Sequence, residues 1–185
     1  GLPGPECEAM LRAHYGADFP LADITPAYAA HRDDLLAKGL PLKPGAIALL
    51  SALQNAECPT ALVTSSSRRT ADRYLELARI RDRFDAILTR DDVARGKPYP
   101  DLYLLAAGRL GVQPQCCIAV EDSSPGVIAA HAAGAKTIMV PDILQPTDDI
   151  RTKCAAVLPD LHAVLTLLRD RFGFTGHMDF YDAGE

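Results

Sequence analysis

No apolar run in the sequence approaches the ~20 residues that a membrane-spanning helix needs. The net charge is -5 and the basic residues are scattered along the chain. A nucleic-acid partner calls for a basic face, because the phosphate backbone dominates such binding. We therefore expect neither a membrane nor a nucleic acid among the partners of this protein.

The five cysteines lack the spacing of a structural thiol site. Their number is odd, one pair is adjacent and no Cys-x-x-C occurs, which argues against both a disulfide framework and a thiolate metal site. Cys116 and Cys117 precede an apolar segment, where we expect them to be small apolar fillers in a reducing cytoplasm. These features predict a cytoplasmic protein.

Two parts of the chain differ in their apolar periodicity. Residues 5–40 have helical spacing and prolines near the expected helix starts, which predicts a helical pair without a strand. Pro41 and Pro44-Gly45 then mark a boundary. We expect a helical segment over residues 1–40, an α/β core over residues 41–172 and an irregular tail over residues 173–185.

The core alternates short apolar runs with helical segments. The runs cover residues 60–64, 84–88, 116–120, 137–140 and 155–158. Strands that alternate with helices of this length indicate right-handed crossovers. The predicted fold is therefore α/β, with a Rossmann-like parallel sheet that has helices on both faces.

Polar and charged side chains stand where these predicted strands end. Thr64 closes the first strand, Lys97 lies in the loop after the second, and Glu121 and Asp122 follow the third. The carboxyl ends of parallel strands share one edge, so we expect the four side chains to meet there. Two adjacent carboxylates repel each other unless a cation, a proton or solvent offsets their charge, and Mg²⁺ takes oxygen ligands of this kind.

Each of these residues also has a simpler explanation. Thr64 or the hydroxyl run 65–67 is suited to start the following helix, as is Asp122 or Ser123 for a later one. Lys97 in a loop is most simply a solvated, partly exposed lysine that contributes little stability. These alternatives remain open at the level of single motifs.

Three segments in order resemble the haloacid dehalogenase superfamily of phosphohydrolases. They are Val63-Thr64-Ser65-Ser66, Gly96-Lys97-Pro98-Tyr99-Pro100-Asp101 and Val120-Glu121-Asp122-Ser123. The chain resembles in particular the branch that contains sugar-phosphate phosphatases, beta-phosphoglucomutase and pseudouridine-monophosphate phosphatases. The resemblance covers nearly the whole chain and implies that residues 1–40 are part of a helical cap.

The resemblance implies a Mg²⁺-dependent phosphatase that acts on a small phosphorylated metabolite, either a sugar phosphate or a nucleotide-like compound. Thr64 and Lys97 would be catalytic. Phosphate would be bound by Thr64, Ser65, Ser66 and Lys97, and Mg²⁺ by Glu121 and Asp122, with Asp122 preferred as the direct ligand. A hydroxyl, an ammonium and a divalent cation stabilise the charge that phosphoryl transfer places on non-bridging oxygens. We expect a monomer or a weak homodimer.

The first motif of that family, Asp-x-Asp, does not occur in the sequence. In relatives its first Asp is the nucleophile that forms an aspartyl phosphate. It ends a central strand that lies between the strands ending here at Thr64 and Glu121. We expect the full-length protein to carry this motif before Gly1, and we expect the 185 residues alone to be inactive.

Two other functions are compatible with the resemblance. A beta-phosphoglucomutase-like phosphomutase needs a cationic cap residue for a distal phosphate, and relatives place an Arg where this chain has Gly4-Pro5-Glu6. That difference favours a phosphatase. The remaining alternative is a non-catalytic binding protein that keeps the fold without the nucleophile.

Overall fold

A computed structural model describes residues 4–37 and 39–172, and the predicted tail 173–185 lies outside them. The helices are α1 Gly4–Tyr15, α2 Leu21–Ala37, α3 Ala46–Asn55, α4 Arg68–Ala78, α5 Asp101–Leu110, α6 Ser124–Ala132, α7 Asp148–Thr152 and α8 Leu161–Phe172. The strands are β1 Ala61–Val63, β2 Ala86–Leu88, β3 Ile118–Glu121, β4 Lys136–Met139 and β5 Ala156–Val157. Short 3-10 turns cover Arg81–Arg83, Arg90–Asp92 and Pro114–Cys116. None of the helices described here is long and apolar enough to span a membrane.

The predicted helical pair is present as α1 and α2, with no strand before β1 in the described ranges. Leu21 and Leu36, near the two ends of α2, are buried. Other apolar side chains of this pair, among them Met10 and Tyr28, stay largely exposed. The pair therefore buries only part of its apolar surface within the described residues.

The described strands form two parallel sheets. In the first, Val63 of β1 lies beside Leu88 of β2. In the second, β4 lies between β3 and β5, and Glu121 lies beside Met139. Within the described ranges β1 and β3 are not paired with each other. The space between them is where the family resemblance places the strand with the Asp-x-Asp motif.

Helices cover both faces of each sheet, which confirms the predicted layering. On β4, Ile138 packs against Leu49 of α3 and Val164 of α8, on one face. The next residue, Met139, packs on the other face with residues of α6 and α7. Successive strand residues point to opposite faces, so one strand joins two helical layers. On β2, Ile87 and Leu88 divide in the same way between the clusters containing α4 and α5.

Two local predictions need correction. Strand β3 begins at Ile118 rather than at Cys116, because a 3-10 turn that starts at Pro114 precedes it. The N–H of Cys117 donates to the Pro114 carbonyl and closes this turn. Cys116 is exposed in this turn and is not a core filler. The sequence analysis also missed α7, although Thr147 supplies a helix start: its hydroxyl accepts the N–H of Ile150 at 3.5 Å.

Gly45 sets how closely α3 can approach α8. Its φ is 84°, in the left-handed region, and it directly precedes α3. A Cβ at this position would lie 2.5 Å from the backbone nitrogen of His162 and 2.8 Å from the carbonyl carbon of Leu161. The backbone conformation and the close contact both require glycine.

We predict that Gly45→Ala lowers the free energy of unfolding by about 2 kcal/mol or more, because strain and a backbone clash add. Gly108→Ala is the matched control, since a Cβ on this helical glycine of α5 meets nothing within 4 Å. It is expected to raise stability by about 0.5–1 kcal/mol through helix propensity. Urea denaturation of both variants measures the difference, and equal effects would contradict this account.

Candidate active site

A cleft of about 1160 Å³ opens at the carboxyl ends of β1 and β3. The site residues predicted from the sequence all line it: Thr64, Ser65, Ser66, Lys97, Glu121 and Asp122. They come from three loops that are far apart in sequence and that follow parallel strands. The structure therefore brings the predicted residues together at one edge, while the chemical role of each stays a prediction.

The hydroxyl run after β1 lines the cleft, and one of its residues also caps the following helix. Ser67 is the N-cap of α4, and its hydroxyl accepts the N–H of Thr70 at 3.3 Å. Thr64 does not cap the helix; its Oγ1 accepts the N–H of Ser66 at 3.1 Å. The Thr64 hydroxyl hydrogen remains available to donate. The capping explanation thus applies to Ser67 and leaves Thr64, Ser65 and Ser66 beside the cleft.

Ser65 carries a buried hydroxyl without a partner. Among the described side chains, its Oγ is the buried polar atom for which the structure gives no hydrogen bond. A buried donor or acceptor left unsatisfied costs about 1–3 kcal/mol. Ser65 lies among the residues that line the cleft.

Lys97 is buried at the base of the cleft, with 9% of its surface exposed. Its ammonium group donates to the Val63 carbonyl at 3.0 Å and to the Glu121 carboxylate. The expectation of a partly exposed loop lysine is therefore wrong, because a buried carboxylate and a strand-end carbonyl replace water around the charge. An ammonium has three N–H donors, so these two bonds leave one for the cleft.

The Glu121 carboxylate is turned inward and is 5% exposed. Its Oε1 accepts bonds from Lys97 and from the Tyr103 hydroxyl, and its Oε2 accepts from Ser123 at 3.4 Å. Gly126 packs so closely that a Cβ there would lie 1.8 Å from Oε2. The Glu121 carboxylate is thus surrounded by Lys97, Tyr103, Ser123 and Gly126.

The available carboxylate of the pair belongs to Asp122, which is exposed and lines the cleft. No group of three or more His, Cys, Asp or Glu side chains suited to a metal ion occurs in the ranges that the structure describes. Mg²⁺ usually recruits several oxygen ligands in near-octahedral geometry. The described residues alone therefore do not fit a Mg²⁺ site, and the metal roles of Glu121 and Asp122 stay predictions.

Tyr103 belongs to the site, and the sequence analysis missed it. The residue fits the apolar pattern of α5, and nothing in its spacing indicates where its hydroxyl points. Burial raises the pKa of Tyr103 well above its usual value, and the neighbouring Glu121 carboxylate raises it further. Its hydroxyl is therefore a proton donor to Glu121 at neutral pH.

The outer wall of the cleft includes side chains from the helical pair and from the loop after α2. Tyr28 and Arg32 of α2 and Lys43 line it. Arg32 donates to Asp33 at 3.2 Å, and Asp33 also accepts a bond from Arg73 of α4 at 2.9 Å. Arg73, and then Arg32, hold the pKa of Asp33 below its usual value. The sequence patterns gave no signal for these positions.

We predict that Lys97→Met destabilises the protein strongly. The substitution leaves the Glu121 charge buried without its ammonium partner, for which a loss of about 3–5 kcal/mol is typical. Lys43→Met is the control, because its pair with Asp142 is about half exposed and such pairs contribute about 0–1 kcal/mol. Adding Glu121→Gln to Lys97→Met should recover part of the loss in a urea titration. Similar losses in the two single variants would show that the buried pair is not the cause.

A second prediction concerns Asp92, which fixes the loop along the cleft. Its Oδ2 accepts the backbone N–H of Thr89 at 2.7 Å, the Thr89 hydroxyl at 2.8 Å and Arg68 at 2.9 Å. The Thr89 backbone bond is the main cause that lowers the pKa of Asp92 in the folded protein.

A lowered folded pKa means that the ionised Asp92 stabilises the fold above its unfolded pKa of about 3.9. This contribution disappears as the pH falls through the folded pKa. Asp92→Asn should therefore be less stable than the parent protein at pH 7, and the difference should shrink below about pH 4. Urea midpoints at both pH values measure it, and a difference that persists in acid would contradict the assignment.

Known proteins are similar to this chain in sequence and in fold. Hexitol phosphatase A of Escherichia coli is 40% identical to the chain over 141 residues, which are 75% of this chain and 64% of that protein. The chain thus spans less than two thirds of this relative. CbbY from Rhodobacter sphaeroides, solved in complex with phosphate, is 30% identical with a TM-score of 0.72, covering 87% of this chain and 74% of that one.

A second solved structure has a similar fold. A HAD family hydrolase from Deinococcus radiodurans R1, solved with phosphate and sodium bound, is 27% identical with a TM-score of 0.74. The match covers 94% of this chain and 78% of that one. The family profile described as haloacid dehalogenase-like hydrolase matches residues 7–134. The chain therefore belongs to the haloacid dehalogenase-like hydrolases.

Proposed function

We propose that this chain forms the phosphate-binding part of a phosphatase that hydrolyses a small phosphorylated metabolite, of the sugar-phosphate or nucleotide-like type. The observation that carries the proposal is the buried Lys97 ammonium, which keeps one N–H donor for the cleft beside the unpartnered Ser65 hydroxyl. A dianionic phosphoryl group supplies acceptors for both. The phosphate bound in the related CbbY structure agrees with this ligand class.

The roles of the cleft residues follow from their charge and position. Lys97 places a fixed positive charge where the transferred phosphoryl group gains negative charge, while Thr64 and Ser65 donate to its oxygens. The backbone turn through Ser66 positions these hydroxyls, since its N–H binds Thr64 Oγ1. Preorganised donors of this kind stabilise the transition state more than the ground state.

Two elements of the proposal lie beyond the described residues. The nucleophile that the family resemblance implies is an Asp of an Asp-x-Asp motif, which the 185 residues do not contain. Mg²⁺ is proposed to use Asp122 together with ligands from that motif, where it would offset the charge of the phosphoryl group. The helical segment 1–40 is proposed as part of a cap. A cytoplasmic location is proposed because the five cysteines lack the spacing of a disulfide framework.

A phosphomutase is the second candidate because a cation of the helical pair reaches the cleft. Arg32 of α2 lines the same space as Lys97, although the expected cationic position near Gly4-Pro5-Glu6 has none. An arginine there is suited to a second phosphate of a bisphosphate intermediate. Formation of an isomerised phosphate ester, rather than inorganic phosphate, would identify this function.

We predict that the 185-residue chain binds Mg²⁺ weakly and releases no phosphate from sugar phosphates, glycolate phosphate or nucleotides. A longer protein that includes the Asp-x-Asp motif should gain both properties, and its Asp122→Asn variant should lose both. The variant keeps the shape of the side chain and removes the charge that attracts the cation.

Calorimetric titration with Mg²⁺ and phosphate-release assays with and without Mg²⁺ compare the three proteins. Asp91→Asn is a matched control, because Asp91 also lines the cleft but accepts the backbone N–H of Arg68 at 2.8 Å. Activity of the short chain would mean that a residue within it is the nucleophile. An inactive longer protein would support the non-catalytic binding protein.

A further inference from the structure

We propose that Tyr103 is a positioning residue for the phosphate site: its hydroxyl fixes the Glu121 carboxylate, which in turn holds the Lys97 ammonium toward the cleft. The inference rests on the proposed function for its catalytic consequence. Its structural part, the restraint of Lys97 through Glu121, stands on contacts between described residues.

The position of α5 makes this restraint possible. The helix packs on β1 and β2 of the first sheet and also on α6 of the second layer. Within α5, Tyr103 contacts the cluster formed by Ala119 of β3, Ala130 and Ala135. A side chain of α5 thus reaches the end of β3, where Glu121 lies.

The Tyr103 hydroxyl and the Lys97 ammonium donate to the same carboxylate atom, Oε1 of Glu121. The Lys97 nitrogen also lies 5.3 Å from the centroid of the Tyr103 ring. The ring face and the hydroxyl-bound carboxylate therefore border the ammonium together. Both contacts attract the ammonium, and the hydroxyl bond additionally restrains the rotation of the carboxylate.

The opposite carboxylate oxygen has little freedom to compensate. Oε2 lies against Gly126 and has a longer bond to Ser123, at 3.4 Å. Without the Tyr103 hydroxyl, Lys97 is the remaining partner of Oε1 among these contacts. The rotation of the carboxylate is then restrained by that ion pair, by Ser123 and by Gly126. We expect Lys97 to follow the carboxylate and to lose its alignment with the cleft.

Phenylalanine at this position separates positioning from packing. Tyr103→Phe keeps the ring, its contacts with the alanine cluster and its contact with the ammonium, and removes the hydroxyl alone. Tyr99→Phe is the matched control, because Tyr99 is 51% exposed and its ring lies 4.7 Å from the Arg95 guanidinium carbon. The two variants delete the same atom from neighbouring segments.

The first measurement follows the Nζ resonance of Lys97 in ¹⁵N-lysine-labelled 185-residue protein at pH 7. The sequence has five lysines, and Lys97→Arg, which keeps a cation beside Glu121, removes the Lys97 signal and so assigns it. Tyr103→Phe should shift the signal and weaken the affinity for inorganic phosphate about tenfold. A loss of this size is found when a hydrogen-bond partner behind a metal ligand is removed. Tyr99→Phe should leave both unchanged.

The second measurement uses the longer protein with the Asp-x-Asp motif. Tyr103→Phe should lower kcat about tenfold with KM changed less than about twofold, because a donor to the transition state is misaligned. If the longer protein without substitutions releases no phosphate, the proposed function is overturned. The resonance shift and the phosphate affinity of Tyr103→Phe then decide the positioning role.

An unshifted Lys97 resonance with unchanged phosphate affinity in Tyr103→Phe would overturn the inference, whatever the thermal stability does. An equal shift in Tyr99→Phe would also overturn it, because the effect would then be nonspecific. A lower melting temperature alone, without a change in resonance or affinity, would assign Tyr103 a structural role.

Discussion

The ion pair between Lys97 and Glu121 joins the two sheets across the space between β1 and β3. The ammonium binds the Val63 carbonyl at the end of β1 and the carboxylate at the end of β3. Burying two charges is costly unless both are well paired and hydrogen-bonded. Tyr103 and Ser123 donate the further hydrogen bonds to the carboxylate. Among the described residues, this charged contact links the ends of the two sheets at the cleft.

The same contact explains why adjacent acidic residues differ. Successive residues of a strand point to opposite faces, so Glu121 turns inward at the end of β3 and Asp122 continues into the loop. Glu121 is 6% exposed and Asp122 is exposed. One carboxylate is thus matched to a fixed protein cation, while the other faces the cleft. Two residues of similar chemistry thus acquire different surroundings through strand geometry.

The sequence predicts the α/β layering and the convergence of Thr64, Lys97, Glu121 and Asp122, because strand periodicity and parallel topology follow from local patterns. It does not predict the burial of Lys97 or the role of Tyr103. Both depend on which groups tertiary packing places within hydrogen-bond reach. Neither a lysine in a loop nor a tyrosine in a helix stands out in the sequence. Their shared partner, Glu121, lies 24 residues from Lys97 and 18 residues from Tyr103.

Ser65 illustrates how a binding site opposes the stability of its own fold. An alanine at this position would leave no hydroxyl to satisfy, whereas the serine keeps a buried Oγ without a partner in the described structure. In the proposed phosphate-binding role of Ser65, a ligand oxygen would offset the cost of burying this hydroxyl. Part of the affinity for an anionic ligand would therefore come from removing the free-energy cost of a buried hydroxyl that has no hydrogen bond. Selection for stability alone would remove this hydroxyl, and selection for binding would retain it.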